Sequence, residues 1–372
     1  MLNFEQNLIL KHVLIAPLDW GLGHATRCIP IIKQFKNAGC EVTIAASGKT
    51  LALLTKEFPN ILTINLFGYN IQYSTQKRFL AFKILMQIPK IVLTVWKEHA
   101  WLQKIIDEKG FDLVVSDNRF GLYTNKIPCI FITHQLLIKA PFGWLQRLVQ
   151  RVNYRFINRF TACWVPDFED GDTIAAALSH PKKMPAVPVK YLGPLSRFTP
   201  AVQKSIKYKW MVILSGPEPQ RTVLEQKIMS IAQSMEGGVL LVRGKPGDNE
   251  QITAPLGCMV VNHLSTAEMQ IAFAESEFVI SRCGYTTVME VLTLQKKAVL
   301  IPTPGQTEQE YLGKHLFKQQ WCYCCLQDDD LLHNLNIAKE FIYKMPVLNA
   351  PSLERVVNDV TSGRNGDVIE RH

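Results

Sequence analysis

A cysteine framework for zinc is missing from this chain. Its nine Cys include one CxxC spacing, Cys322–Cys325, but no second such pair and no spaced Cys/His set of the kind that holds zinc. They read as reduced, mostly buried thiols, with Cys322, Cys324 and Cys325 merely close together. No convincing DxD motif is present, and Asp328-Asp329-Asp330, ahead of a helical pattern, reads as a solvated acidic helix start. Neither a metal nor a resident cofactor is expected. Helix-turn-helix, RRM and zinc-finger patterns are also lacking, which argues against nucleic acid as a partner although the net charge is +9. Anionic lipid and small phosphorylated molecules remain as partners for that charge. The long apolar stretch Phe79–Trp96 is interrupted by Lys83, Pro89 and Lys90, so it cannot comfortably span a bilayer. The amino-terminal MLNFEQN is polar and the apolar run from His12 stops at Pro17, so no signal peptide and a cytoplasmic location are expected. Neither short repeats nor low-complexity tracts stand out.

What is present is the composition of an ordinary globular protein, 47% hydrophobic and 20% charged with 21 Gly and 20 Pro. At 372 residues it exceeds the size at which one core usually stops growing, so two domains are expected. Apolar runs at Val13–Ala16, Val42–Ala45, Ile61–Leu66, Leu113–Ser116, Ile130–Thr133 and Cys163–Val165 read as strands, with helical patterns between them. Pro185–Pro200 is proline-rich and reads as a linker. Strands then resume at Met211–Leu214, Val239–Val242, Met259–Val261, Phe278–Ile280, Ala298–Ile301 and Cys322–Cys325. The fold class is therefore α/β, two Rossmann-like domains facing each other across a cleft. The boundaries expected are 1–190 for the first domain, 191–348 for the second, and 349–372 for a helix returning to the first domain followed by a tail.

Two turns carry chemistry. After the strand HVLIAP, the turn LDWGLGH lets Gly21 and Gly23 turn the chain and sets His24 at a helix start, in place to act as a general base. A dinucleotide fingerprint would need a third glycine where Thr26 stands. Asp117, at the end of FDLVVSD, is the rival base or a partner orienting His24, with capping of the next turn as its plain structural role. In the second half, FVISRCGYTTVME reads as strand, glycine turn and helix. Gly284, Thr286 and Thr287 stand where unpaired backbone N–H groups suit a phosphate. Glu290, one turn on, is placed for sugar hydroxyls, so the site suggests a nucleotide diphosphate carrying a sugar. Helix N-termini, with Arg282 or Arg243, supply positive charge for the leaving phosphate. Cys283 reads as a packing residue, and Trp20 as an anchor for its loop or a cover for the acceptor.

The GLGH turn, the strand end ITHQL, the turn Ser215-Gly216-Pro217 and the block SRCGYTTVME…PTPGQTEQEY together resemble GT-B glycosyltransferases, closest to family 28. That group includes the peptidoglycan N-acetylglucosaminyltransferase and the plant galactolipid synthases. The resemblance implies that Glu290 holds the ribose, that Gly284, Thr286 and Thr287 receive the diphosphate, and that Gln309 and Glu310 touch the donor sugar. It implies Leu264 beside a uracil ring, His24 near the reaction centre, and His134 with Gln135 on the acceptor side along with Gly21 and Gly23. The Ser215-Gly216 turn departs from the usual glycine-rich form, because Pro217 and Pro219 remove donors that would face phosphates. Retaining enzymes of this fold commonly pair two Glu separated by seven residues. Arg282 and Ala298 occupy the positions eight before and eight after Glu290, so inversion is expected.

From Pro141 the chain reads PFGWLQRLVQRVNYRFINRF, with Arg147, Arg151, Arg155 and Arg159 along one helix face and Leu148, Val152, Phe156 and Phe160 along another. The simpler reading is domain packing with a solvated basic face. The functional one is peripheral docking on an anionic membrane surface, where a lipid-linked or cell-envelope acceptor would be found. The function expected is metal-independent, inverting transfer of a hexose from a UDP-sugar to an acceptor of unspecified identity. The alternatives are a non-hydrolysing nucleotide-sugar epimerase and a non-catalytic nucleotide-sugar-binding protein.

Overall fold

A computed structural model describes residues 11–69, 86–140, 142–200, 205–348 and 353–362. The first sheet is built from β1 (His12–Pro17), β2 (Glu41–Ala46), β3 (Leu62–Asn65), β4 (Leu113–Asp117), β5 (Cys129–Ile132), β6 (Ala162–Val165) and β7 (Val189–Tyr191), in the order β3-β2-β1-β4-β5-β6-β7. The second comprises β8 (Tyr208–Ile213), β9 (Val239–Val242), β10 (Cys258–Val261), β11 (Ser276–Ser281), β12 (Lys297–Leu300) and β13 (Tyr323–Cys324), ordered β10-β9-β8-β11-β12-β13. Every pairing in both sheets is parallel. Both are therefore doubly wound α/β sheets, and each has its order reversal beside its first strand, where such sheets bind ligands.

Parallel strands are covered by helices on both faces, which is why β1 reads VLIA without a polar alternate. Val13, Leu14, Ile15 and Ala16 are all fully buried. Each of the three larger side chains contributes about 2 kcal/mol through that burial.

The helices are α1 (Leu22–Asn37), α2 (Gly48–Glu57), α3 (Ile88–Lys109), α4 (Gly143–Ile157), α5 (Gln220–Ile231), α6 (Thr266–Ala274), α7 (Tyr285–Thr293), α8 (Thr307–Lys318), α9 (Leu331–Glu340) and α10 (Leu353–Thr361). α10 packs on α1 through Val356, Val357 and Val360, so the last described helix lies against the first domain.

The segment read as a linker, Pro185–Pro200, is structured in part. It carries β7, which pairs with β6 at the sheet edge and extends the first sheet to Tyr191. Pro188 lies just before β7, and its carbonyl still accepts from Cys163 N at 2.9 Å. Of the apolar stretch Phe79–Trp96, residues 79–85 lie outside the described residues; Ile88–Trp96 forms the first half of α3. Among the described residues no helix is long and apolar enough to cross a membrane.

Candidate active site

β1 delivers the GLGH turn to its carboxyl end, and α1 starts at Leu22 with no side chain capping its first turn. His24 sits on that turn. Its Nδ1 lies 2.9 Å from Asp117 Oδ2, on the last residue of the adjacent strand β4. The Asp117 side chain is fully buried, whereas 19% of His24 remains accessible. Arg27, one turn along α1, donates through Nε to Asp117 Oδ2 at 2.9 Å and through Nη2 to Oδ1. Burial would raise the Asp117 carboxyl, but Arg27 and His24 outweigh it and bring it down to about 2. Burial, reinforced by Arg27, lowers His24 below its ordinary 6.5, against the pull of Asp117. At neutral pH the pair is thus an ionised carboxylate and a neutral imidazole.

The second domain meets this turn through α7. Its N-cap, Gly284, contributes no side chain, and open space lies where a Cβ would stand. The first turn of α7 therefore keeps its backbone donors free of side-chain caps. Thr286 Oγ1 donates to the Gly23 carbonyl at 3.0 Å, which brings the starts of α1 and α7 together. Tyr285 enters the first domain, its hydroxyl donating to Pro166 O at 2.6 Å and its ring stacked on His134 at 4.0 Å. From α8, Glu308 accepts from Gln135 Nε2 and lies 2.7 Å from His134 Nε2. Two histidines, two acids and one arginine from both domains thus surround one point of the cleft.

Beside it opens a cleft of about 1150 Å³, lined by the turn around Gly21, the start of α2 at Ser47–Thr50, the Ser215–Glu218 turn and the Gly244–Asp248 loop. α2, whose first turn lines it, also lacks a side-chain cap, whereas in the first turn of α5 Thr222 N donates to Glu218 Oε2 at 3.2 Å. Lys49, Arg221 and Lys245 are matched there by Asp19, Glu218 and Asp248, with Lys245 paired to Asp248 at 3.3 Å.

Residues 221–346 match the glycosyltransferase family 28 C-terminal domain. An uncharacterized glycosyltransferase of Methanosarcina acetivorans is 24% identical over 313 residues, 78% of this chain and 79% of its own. One from Methanosarcina mazei is 22% identical over 314 residues, with the same coverage. Among solved structures, the glycotransferase of kitacinnamycin superposes with a TM-score of 0.62 at 13% identity, over 96% of this chain and 95% of that one. MurG of Acinetobacter baumannii gives 0.53 at 17% identity, over 94% and 98%. SsfS6 of Streptomyces sp. SF2575, complexed with thymidine diphosphate, gives 0.59 at 13%, over 94% and 99%. The fold is GT-B.

Within this GT-B frame the residues singled out from the sequence fall into three groups. His24, Asp117, Gly23, His134, Thr286 and the α7 start come together between the lobes, and Gly21, Ser215 and Gly216 line the adjoining cleft. Glu290 lies one turn deeper in α7, 4% exposed, and its Oε1 accepts from Arg197 Nε at 2.9 Å. Burial pushes its carboxyl up, against the opposing pull of Arg197. Leu264 is partly buried against the main core beside the start of α6. Gln309 and Glu310 turn back on their own loop, accepting from Thr303 N at 2.9 Å and Gly305 N at 3.0 Å. Thr287 is half-buried on the first turn of α7.

Two cations expected to face phosphate are engaged elsewhere. Arg282 is 1% exposed and donates to the carbonyls of Ile301, Pro302 and Gln220 and to Gln327, and its burial lowers it to about 10. Arg243, 3% exposed, is held by Glu225, Asn262 and Glu250. Both guanidinium groups tie loops of the second domain together, so neither is free for a leaving phosphate.

Four participants escaped sequence reading: Arg27, Tyr285, Arg197 and Glu308. Only Arg27 had a local signal, its i,i+3 spacing from His24 at a helix start. The partners of the others lie 93 to 174 positions away.

Proposed function

We propose that the protein is an inverting glycosyltransferase that moves a hexose from a UDP-sugar to an acceptor hydroxyl bound on the first-domain side of the cleft. The observation that carries this reading is the neutral, partly accessible His24. It is anchored on Asp117 and stands one residue from the contact between the α1 and α7 starts. With its Nδ1–H donated to the ionised Asp117, the imidazole keeps a lone pair on Nε2. That nitrogen takes the acceptor's proton as the acceptor oxygen forms its bond to the anomeric carbon. The bond from that carbon to the diphosphate oxygen breaks on the opposite face, and the nucleoside diphosphate leaves with the bonding pair. The backbone donors of the uncapped α7 turn, together with its dipole, stabilise the charge that grows on the leaving diphosphate. Neither step calls on a metal. Incubation with UDP-, GDP- and dTDP-sugars tests the donor, because a bound ligand raises the melting temperature. The anomeric proton of the product tests the stereochemistry. A shift with UDP-sugars and an inverted anomeric centre are expected; retention would overturn the single displacement.

A second feature supports an acceptor presented at an anionic membrane surface. The first half of α3 exposes Leu93 and Trp96, and α4 with its N-cap exposes Phe142, Trp144, Leu148 and Val152. Ile91 and Phe156 from the two helices pack on one small cluster, so these exposed rows belong to neighbouring elements. Residues 86–97 and 142–157 contain no acid, while Lys97, Arg147, Arg151 and Arg155 are exposed. Apolar side chains ringed by cations match the boundary between anionic headgroups and acyl chains.

A further inference from the structure

His24, Asp117 and Arg27 form a three-membered arrangement with an internal conflict. Arg27 Nη2 lies 2.8 Å from His24 Nδ1, and Asp117 Oδ2 lies 2.9 Å from the same nitrogen. A ring nitrogen of a neutral imidazole holds either a proton or a lone pair, so Nδ1 cannot donate to Asp117 and accept from Arg27 together. The ionised carboxylate is the stronger acceptor, and the guanidinium already donates to both carboxylate oxygens. The proton therefore sits on Nδ1, and Arg27 is a charge beside His24 without being its hydrogen-bond donor.

We propose that Arg27 is a positioning residue: by gripping both oxygens of Asp117 it fixes the carboxylate against Nδ1 and holds His24 in the tautomer whose Nε2 can accept a proton. Its consequence for turnover rests on the reading of His24 as the base. The arrangement of the three side chains does not.

The charges around His24 say what Arg27 adds. Asp117 on β4 and Glu308 on α8 favour the protonated imidazole, while Arg27 on α1 and His134 after β5 oppose it. Cys28, 3.8 Å from Asp117, is a buried thiol held protonated. Arg27 is thus the one permanent cation in this set, balancing one of two carboxylates. A carboxylate alone beside an imidazole draws a proton onto it and removes the base; the carboxylate gripped by Arg27 orients the ring while its charge is offset.

Nitrogen-15 NMR of the full-length protein labelled at histidine tests this on the ring itself. In the wild type, His24 is expected neutral at pH 7, protonated on Nδ1, with its midpoint below 6.5. Arg27→Gln should raise that midpoint by about one unit or more. Arg27→Lys keeps the charge and loses the two-pronged grip. Its midpoint should stay near the wild type while kcat falls about tenfold at unchanged donor KM, because orientation is what it lacks. A wild-type ring protonated on Nε2, or a midpoint that does not move in Arg27→Gln, would overturn the inference. Where the Gln variant does not fold, the wild-type tautomer and the Lys variant decide. If the spectra come out as expected and His24→Ala still turns over, the base assignment fails while the grip of Arg27 stands.

Discussion

The hydroxyl of Thr286 donates to the Gly23 carbonyl at 3.0 Å, joining the first turn of α7 in one lobe to the first turn of α1 in the other. Two positive helix ends are thereby brought together, an arrangement that favours an anion between or beside them. Glycine at position 23 is what permits the approach, since a Cβ there would stand 3.2 Å from Thr286 Oγ1.

Substitution at this contact should act on lobe closure. Gly23→Val is expected to lower kcat/KM for the donor by about tenfold or more, because its branched side chain holds the lobes apart. Thr286→Val, losing one hydrogen bond worth about 1 kcal/mol, should cost about fivefold, and Thr286→Ser almost nothing. Steady-state kinetics on the three variants checks the order.

His24→Ala should reduce kcat by about 10² to 10⁴ while the donor's dissociation constant by calorimetry stays within twofold. Because His24 is lowered from 6.5, it is the neutral base above its folded pKa and becomes protonated only below it. The acid limb of the wild-type kcat profile is therefore expected below pH 6.5. An acid limb above that value contradicts the environment described for this ring.

Asp117 makes the fold sensitive to acid. Its folded pKa of about 2 lies below the ordinary 3.8, so its contribution to stability is complete above about 4 and is lost as pH falls toward 2. The contribution is about 2 kcal/mol. Urea denaturation at pH 5 and pH 2.5 should show that loss in the wild type and a smaller one in Asp117→Asn, which has no carboxylate to protonate.

Arg282→Met should separate structure from chemistry. Its removal strands the carbonyls of Ile301, Pro302 and Gln220, at a cost of about 3 kcal/mol. The melting temperature should fall by several degrees, with kcat of the folded fraction within about twofold of wild type. A hundredfold loss of kcat at unchanged melting temperature would return Arg282 to the leaving phosphate.

Replacing Arg147, Arg151 and Arg155 by Gln should weaken sedimentation with phosphatidylglycerol vesicles about a hundredfold, at about 1 kcal/mol per arginine. Trp96→Asp and Trp144→Asp should abolish it even at low salt. Neutral phosphatidylcholine vesicles should bind weakly in all cases.

Much of the fold is legible because it is written in local pattern. Each of the twelve runs expected to be strands overlaps an observed strand, since buried parallel strands must be apolar on both faces. β7 escaped because VKY between prolines has no such signature and becomes a strand only where β6 offers it an edge. The pairing of His24 with Asp117 was half legible. Asp117 ends β4 and His24 opens the helix that follows β1, two strands that should adjoin at the order reversal, but their 2.9 Å separation depends on how β1 and β4 register.

By itself the sequence determined two lobes of alternating strand and helix, a glycine turn that sets His24 at a helix start, and an α7 start without a side-chain cap. Those are matters of period, backbone freedom and missing side chains, all resolved within a few residues. Tertiary structure alone decided which charges are available. Arg282 and Arg243 looked free in the chain and are sealed on loop carbonyls and acids, while Arg27 and Glu308, unremarked in the chain, flank His24. The reason is that desolvation and ion pairing depend on what the fold brings near a charge, and those neighbours lie tens to hundreds of residues away.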